Sequence, residues 1–130
     1  MKIVFFTNNQ RGLFCIKHIE RNFPLRLIIS SNDLKKFIDP KLFFNCPKNI
    51  NSNNFINKIK KIAPDVIISG GFSQIFSEKF INSVNSLWLN LHAGDLPEMR
   101  GSSPLNWSLI KGLKSTKISI IKVNKKVDGG

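Results

Sequence analysis

The chain begins with two apolar, strand-like runs separated by a helix-like segment, an order that few folds accommodate. Residues 2–7 form an apolar run that ends in polar residues, which is typical of a buried strand. Residues 13–21 carry apolar side chains at helical spacing, and Pro24 separates them from a second apolar run at 25–30. A strand, a helix and a second strand in this order predict a βαβ unit with parallel strands.

The rest of the chain continues this alternation. Helices are predicted at 54–62, 77–84 and 104–112, and strands at 66–69, 87–91 and 117–123. Residues 32–54, with Pro40 and Pro47, predict turns and a short element. The 130 residues suit one domain. The pattern therefore predicts an α/β fold with a Rossmann-like, open, mainly parallel sheet and helices on both faces.

Asn90 and His92 lie two positions apart at the end of the predicted strand 87–91, so their side chains can project from one face. Pro97 and Gly101 follow, so the strand opens into a loop, and such loops bind ligands in open α/β sheets. An amide and an imidazole at such a place could polarise a carbonyl and move a proton. The alternative is structural, because a lone histidine beside a strand is more often structural and an asparagine can bond a loop backbone.

The stretch around these two residues also resembles a known family. N-L-H-A-G-D-L-P-E-M-R-G-S-S-P at 90–104 is similar to the N-x-H-x-S-L-L-P-x-x-R-G-x-x-P signature of the folate-dependent formyltransferases. G-G-F-S-Q-I-F-S-E-K-F-I at 70–81 resembles their pterin-pocket segment, and V-D-G-G at 127–130 resembles their later D-x-G or D-G-G segment. The chain departs from the signature at Gly94 and Asp95, where the family usually has Ser and Leu.

The resemblance implies a three-part site without a metal. In the catalytic set, Asn90 and His92 would stabilise the oxyanion, and Asp128 would orient His92 and help to move the proton. The folate donor is expected to contact Gly71, Phe72, Gln74, Ile75, Phe76 and Val127. The acceptor substrate is expected to contact Asn8, Arg100, Gly101 and Ser102.

Each of these assignments has a plainer alternative. Asp128 could be an ordinary turn aspartate, and Arg100 could be a solvated loop charge. Residues 70–76 could be only the turn between a strand and a helix. His18, on the first predicted helix with no motif around it, is interpreted as structural.

The implied reaction is formyl transfer from N10-formyltetrahydrofolate to a primary amine. R-G-S-S-P-L-N-W at 100–107 most resembles the sugar N-formyltransferases, which indicates a nucleotide-linked amino sugar as the small-molecule acceptor. Initiator tRNA, the substrate of methionyl-tRNA formyltransferase, is the second candidate, because residues 30–54 lack the clustered Arg and Lys usual in the tRNA enzymes. A rival from another class is a basic binding module that has lost catalysis.

Charge and composition bear on partners and location. Twenty basic against eight acidic residues give a net charge of +12, but they are spread along the chain, so a nucleic-acid partner is not favoured. No apolar run approaches the roughly 20 residues of a membrane span. Cys15 and Cys46 are too few for a disulfide scaffold, which favours the cytoplasm. We expect residues 1–130 to be a catalytic domain truncated at its C-terminal end, with a homodimer forming through the missing region.

Overall fold

Six strands and four α-helices form the part of the chain, residues 1–124, 126 and 128–129, that a computed structural model describes. The strands are β1 (Ile3–Thr7), β2 (Leu25–Ser30), β3 (Phe43–Asn45), β4 (Val66–Gly70), β5 (Leu87–His92) and β6 (Ser119–Lys122). The helices are α1 (Gln10–Ile19), a 3-10 helix (Asn32–Phe37), α2 (Asn53–Ile62), α3 (Glu78–Ser83) and α4 (Pro104–Ile110). All the strands join one sheet in the order β3-β2-β1-β4-β5-β6.

The sheet is parallel except at one edge. β1 pairs in parallel with β2 and β4, and the β2–β3 and β4–β5 pairs are parallel as well. β6 runs antiparallel to β5 and places Ser119 opposite His92. An antiparallel edge strand on an otherwise parallel sheet is common in doubly wound folds. The predicted Rossmann-like, mainly parallel sheet is confirmed.

Helices cover both faces of the sheet, as predicted, and each face has its own core. On one face, α2 and α3 bury Phe55 and Phe80 against Phe6 of β1. On the other face, α1 and the 3-10 helix bury Leu13 and Leu34 beside Phe5 of β1. β1 is therefore buried on both sides, which explains why its sequence is continuously apolar instead of alternating.

The predicted elements are present, with ends that shift by a few residues. α1 begins at Gln10 and not at residue 13, because the Asn9 side chain caps it and accepts a hydrogen bond from the Gly12 amide at 3.2 Å. Residues 32–54 contain two short elements, the 3-10 helix and β3, where the sequence predicted one. No helix among residues 1–124, 126 and 128–129 is long and apolar enough to cross a membrane.

The strand order reverses beside β1. The chain moves from β1 outward to β2 and β3, then returns to the other side of β1 to form β4 and β5. Ligands bind in open α/β sheets at the carboxyl ends of the strands beside such a reversal. The loops after β1 and β4 meet there, and the Asn8 amide donates to the Gly71 carbonyl at 3.0 Å. This end of the sheet also carries Asn90 and His92.

Gly12 provides a test of this packing, because α1 passes close to β1 and β4 there. A Cβ at Gly12 would overlap the buried Thr7 side chain and lie 2.6 Å from the Gly70 carbonyl oxygen. Gly→Ala in an open helix usually stabilises by about 1 kcal/mol. We expect Gly12→Ala to lower the free energy of unfolding by about 1–3 kcal/mol instead. Urea unfolding measures this, with Asn57→Ala on the exposed side of α2 as the control, and a more stable Gly12→Ala protein would contradict the packing.

Candidate active site

β5 positions Asn90 and His92 on one face at its carboxyl end. The register places Asn90 between Ser69 of β4 and Ile121 of β6. His92 is buried, although it ends the strand, because the following loop folds back over it. The alternation of a strand thus brings the two polar side chains to the same place.

The structure brings Asp128 to these two residues from a distant part of the chain. Its Oδ1 lies 3.5 Å from His92 Nδ1 and accepts a hydrogen bond from Asn90 Nδ2 at 3.4 Å. Only 7% of the His92 side chain and 10% of the Asp128 side chain are exposed. All three predicted catalytic residues therefore form one largely buried polar cluster.

The partners of His92 define where its protons can lie. Nε2 is 2.6 Å from the Met99 carbonyl oxygen, which can only accept, so Nε2 carries a proton. Nδ1 then faces the Asp128 carboxylate, another acceptor. The Met99 carbonyl and the Asp128 carboxylate thus hold the imidazole between them.

The loop after β5 holds Asp128 in place. The Gly101 amide donates to Asp128 Oδ2 at 2.9 Å, and Arg100 Nε donates to the Asp128 carbonyl at 3.1 Å. Asp128 has a left-handed backbone with φ of 47°, a conformation that aspartate tolerates better than most residues. In this structure Arg100 and Gly101, predicted as acceptor contacts, bond to Asp128, Arg100 at its backbone carbonyl and Gly101 at its carboxylate. Ser102 is exposed beside them.

Gly94, one of the two departures from the family signature, lies in a crowded position. A Cβ there would be 2.7 Å from Pro104 Cβ, 2.9 Å from Met99 Cβ and 3.1 Å from His92 Nε2. The Gly94 carbonyl accepts from Ser119 Oγ at 2.8 Å, which fastens the loop to β6. The absence of a side chain lets the loop pack directly on the imidazole.

Asp95, the other departure, pairs with a lysine. Its Oδ2 lies 2.9 Å from Lys117 Nζ, and this hydrogen bond raises the pKa of Lys117. Both side chains are substantially exposed, so the pair contributes little to stability. The charge introduced at Asp95 is thus compensated by a neighbouring lysine.

The segment predicted to contact folate joins the aromatic core. Phe72 and Phe76 stack with ring centroids 5.6 Å apart, and both contact Phe6 edge-on. Ile75 is exposed, and Gly71 adopts a left-handed φ of 62° directly against the Asn9 side chain. Val127, the sixth predicted folate contact, lies outside the described residues.

Two side-chain amides hold this segment against the loop before α2. Gln74 donates from Nε2 to the Pro47 carbonyl at 3.0 Å and accepts from the Ile50 amide at 3.2 Å. Asn51 donates to the Ile75 carbonyl at 2.9 Å and accepts from the Ser77 amide at 2.8 Å. Gln74, predicted as a folate contact, is engaged with protein partners in this structure.

Asn8, predicted as an acceptor contact, lies at the same junction. Its Oδ1 accepts from the Ser73 amide at 3.4 Å. Burial raises the pKa of the Cys46 thiol, and a hydrogen bond with Asn8 partly opposes this shift. Asn8 thus joins the loops after β1, β3 and β4.

Two groups that contact Asn90 and His92 were not predicted from the sequence. The Ser69 hydroxyl donates to Asn90 Oδ1 at 2.8 Å, and the Met99 carbonyl accepts from His92. Ser69 ends the run V-I-I-S, and its contact with Asn90 exists only because β4 pairs with β5 in this register. A backbone carbonyl leaves no trace in a sequence. Within the described part of the chain, no three His, Cys, Asp or Glu side chains group as a metal site requires.

Comparison with known sequences establishes the family. Residues 2–130 match the model of the formyl transferase family. The chain belongs to this family. The bifunctional polymyxin resistance protein ArnA of Wigglesworthia glossinidia brevipalpis is 37% identical over all of this chain and 22% of its own length. The methionyl-tRNA formyltransferase of Clostridium acetobutylicum is 28% identical over all of this chain and 47% of its own length. The chain thus spans less than half of each relative.

Solved structures of formyltransferases share the fold. The phosphoribosylglycinamide formyltransferase of Streptococcus pneumoniae TIGR4 superposes with a TM-score of 0.79 at 18% identity, over 99% of this chain and 77% of that one. The 4-N formyltransferase of Francisella tularensis superposes with a TM-score of 0.73 at 26% identity, over 98% of this chain and 52% of that one. The resemblance inferred from the motifs is confirmed at the level of family and fold.

Gly94→Ala tests the packing over His92. The new methyl group must displace the loop or the imidazole, so we expect a loss of about 1–3 kcal/mol in unfolding free energy. We also expect the His92 ring signals to shift in the NMR spectrum. Ala93→Ser, one residue earlier and half-buried, is the matched control and should change both much less. A Gly94→Ala protein with unchanged stability and unchanged His92 signals would contradict the crowding.

Proposed function

We propose that the protein transfers a formyl group from N10-formyltetrahydrofolate to a primary amine. The observation that supports this most directly is the convergence of Asn90, His92 and Asp128 at the carboxyl end of β5, in a chain of the formyl transferase family. The donor would supply a formyl carbon bonded to a nitrogen that can leave. The protein must then stabilise the formyl oxygen and move one proton.

The polar groups of the site suit a formyl group. The Asn90 amide has two N–H donors, and the contact with Asp128 uses one of them at a long 3.4 Å. The 3.5 Å between His92 Nδ1 and Asp128 also exceeds the roughly 2.7–2.9 Å of a charge-assisted hydrogen bond. The Asn90 amide therefore retains an N–H donor for an incoming carbonyl oxygen, and the carboxylate does not hold His92 Nδ1 at hydrogen-bonding distance.

Each residue has a defined task in the proposed reaction. As the acceptor nitrogen bonds to the formyl carbon, Asn90 and His92 donate to the formyl oxygen, where negative charge develops. Asp128, through His92 or a water molecule, receives the proton released by the amine and helps to deliver it to the departing nitrogen. The formyl carbon exchanges one C–N bond for another, so no oxidant or reductant is required.

The acceptor we propose is a nucleotide-linked amino sugar. The R-G-S-S-P-L-N-W segment supports it, and Arg100 is exposed next to Asp128. The net charge of +12 would attract the phosphates of such a substrate. Initiator methionyl-tRNA is the second candidate, supported by the alignment of the clostridial methionyl-tRNA formyltransferase along the whole chain. An inactive remnant is the third.

We also propose a domain assignment, an oligomeric state, a location and a set of ligand contacts. The assignment of residues 1–130 as the catalytic domain, the homodimer and the cytoplasmic location rest on the resemblance and on composition. The folate contacts at residues 71–76 and the acceptor contacts at Asn8 and residues 100–102 are predictions as well.

The acceptor is tested with purified gene product and N10-formyltetrahydrofolate. We expect turnover with nucleotide-linked amino sugars, and none with charged initiator tRNA or glycinamide ribonucleotide. Turnover of the tRNA alone would preserve the chemistry and overturn the acceptor. Absence of turnover and of folate binding would favour the inactive remnant. Salt-dependent RNA binding would then identify a nucleic-acid module.

His92→Ala tests the catalytic cluster. Removing a donor to a developing oxyanion typically lowers kcat by about 10²–10³, and we expect a loss of at least this size because His92 also relays the proton. Steady-state kinetics measures the change. His18→Ala, exposed on α1, is the matched control and should retain the wild-type rate. Equal rates for the two variants would remove His92 from the mechanism.

A further inference from the structure

We propose that Ser69 is a positioning residue for Asn90. Its hydroxyl holds the carboxamide in the orientation that directs Nδ2 toward Asp128 and the reacting groups. The hydrogen bond is a feature of the structure, and its effect on rate rests on the proposed formyl transfer.

Ser69 is well placed to control the amide. It is 4% exposed, and the register of the sheet places it directly between Phe6 of β1 and Asn90 of β5. Its Oγ donates to Asn90 Oδ1 at 2.8 Å. Phe6 is fully buried, and a hydrogen bond beside it meets little competition from water. The hydrogen bond is therefore partly shielded from water.

The orientation of the amide matters because its two ends have opposite properties. Ser69 donates to the oxygen end, and Asp128 accepts from the nitrogen end. Rotating the carboxamide by half a turn would place Oδ1 against the Asp128 carboxylate and remove the N–H donors from the formyl oxygen. Without the Ser69 hydroxyl, Oδ1 loses its donor and the amide can sample both orientations.

Strand geometry alone does not require this serine. Ser30 occupies the corresponding end of β2 and is fully buried, yet its Oγ has no hydrogen-bond partner among the described residues. The two serines share burial and a place at the carboxyl end of a parallel strand; the register puts them on opposite faces of the sheet, and Ser69 is hydrogen-bonded to Asn90. Ser30→Ala is therefore a matched control for Ser69→Ala.

Steady-state kinetics of the intact gene product measures the effect on rate. We expect Ser69→Ala to lower kcat about 10-fold, less than the loss of an oxyanion donor itself, with little change in KM for the formyl donor. Ser69→Cys keeps the size but donates weakly, so it should resemble Ser69→Ala. Ser69→Thr restores the hydroxyl and should recover most of kcat. Ser30→Ala should leave both constants unchanged.

The side-chain amide of Asn90 provides a readout that does not depend on turnover. Its ¹H–¹⁵N signals are identified by their disappearance in Asn90→Asp. We expect them to shift and broaden in Ser69→Ala and Ser69→Cys, and to stay in place in Ser30→Ala.

The two readouts separate this proposal from the proposed function. A wild-type protein without turnover whose Asn90 signals still respond to Ser69→Cys would refute formyl transfer and support the positioning. The positioning role would be overturned if the Asn90 signals did not change, or if kcat did not change in an active enzyme. It would also be overturned if Ser69→Ala raised KM and lowered the free energy of unfolding together with kcat, as a general structural defect would.

Discussion

The parallel pairing of β4 with β5 is the interaction on which the site depends. It sets Ser69 beside Asn90 and places the carboxyl end of β5 next to that of β4. A slip of one residue would turn Asn90 and His92 toward the opposite face. The register is secured by burial, because Trp88 packs into one core while Leu91 packs against the other. The hydrophobic cores thus determine which way Asn90 and His92 face.

The buried polar cluster in turn constrains the loop that covers it. His92 and Asp128 are almost fully removed from water, so each needs partners within the protein. The loop supplies them from its backbone, through the Met99 carbonyl and the Gly101 amide. Gly94 leaves room for this close approach. The loop sequence therefore reflects packing and hydrogen bonding around the imidazole as much as any contact with substrate.

The sequence predicted most of the fold because its apolar runs and helical spacing are local signals. β2 was predicted with its observed bounds, and α1 was displaced only because a cap at Asn9 outweighed the apolar pattern. The motifs at 90–104 and 127–130 also identified Asn90, His92 and Asp128 as candidate site residues. Hydrogen bonds between distant segments could not be predicted from the sequence. The bond between Ser69 and Asn90 depends on the strand register, and the bond from the Gln74 side chain to the Pro47 carbonyl depends on the loop geometry.

The bonds from Arg100 and Gly101 to Asp128 have an evolutionary consequence. The loop proposed to contact the acceptor also holds Asp128 in its left-handed turn. In the proposed formyl transfer, selectivity and catalysis would share one short segment, and substitutions that adapt the loop to a new amine would also disturb the carboxylate. Such substitutions would be least costly at exposed Ser102, and most costly where the loop touches Asp128 or His92.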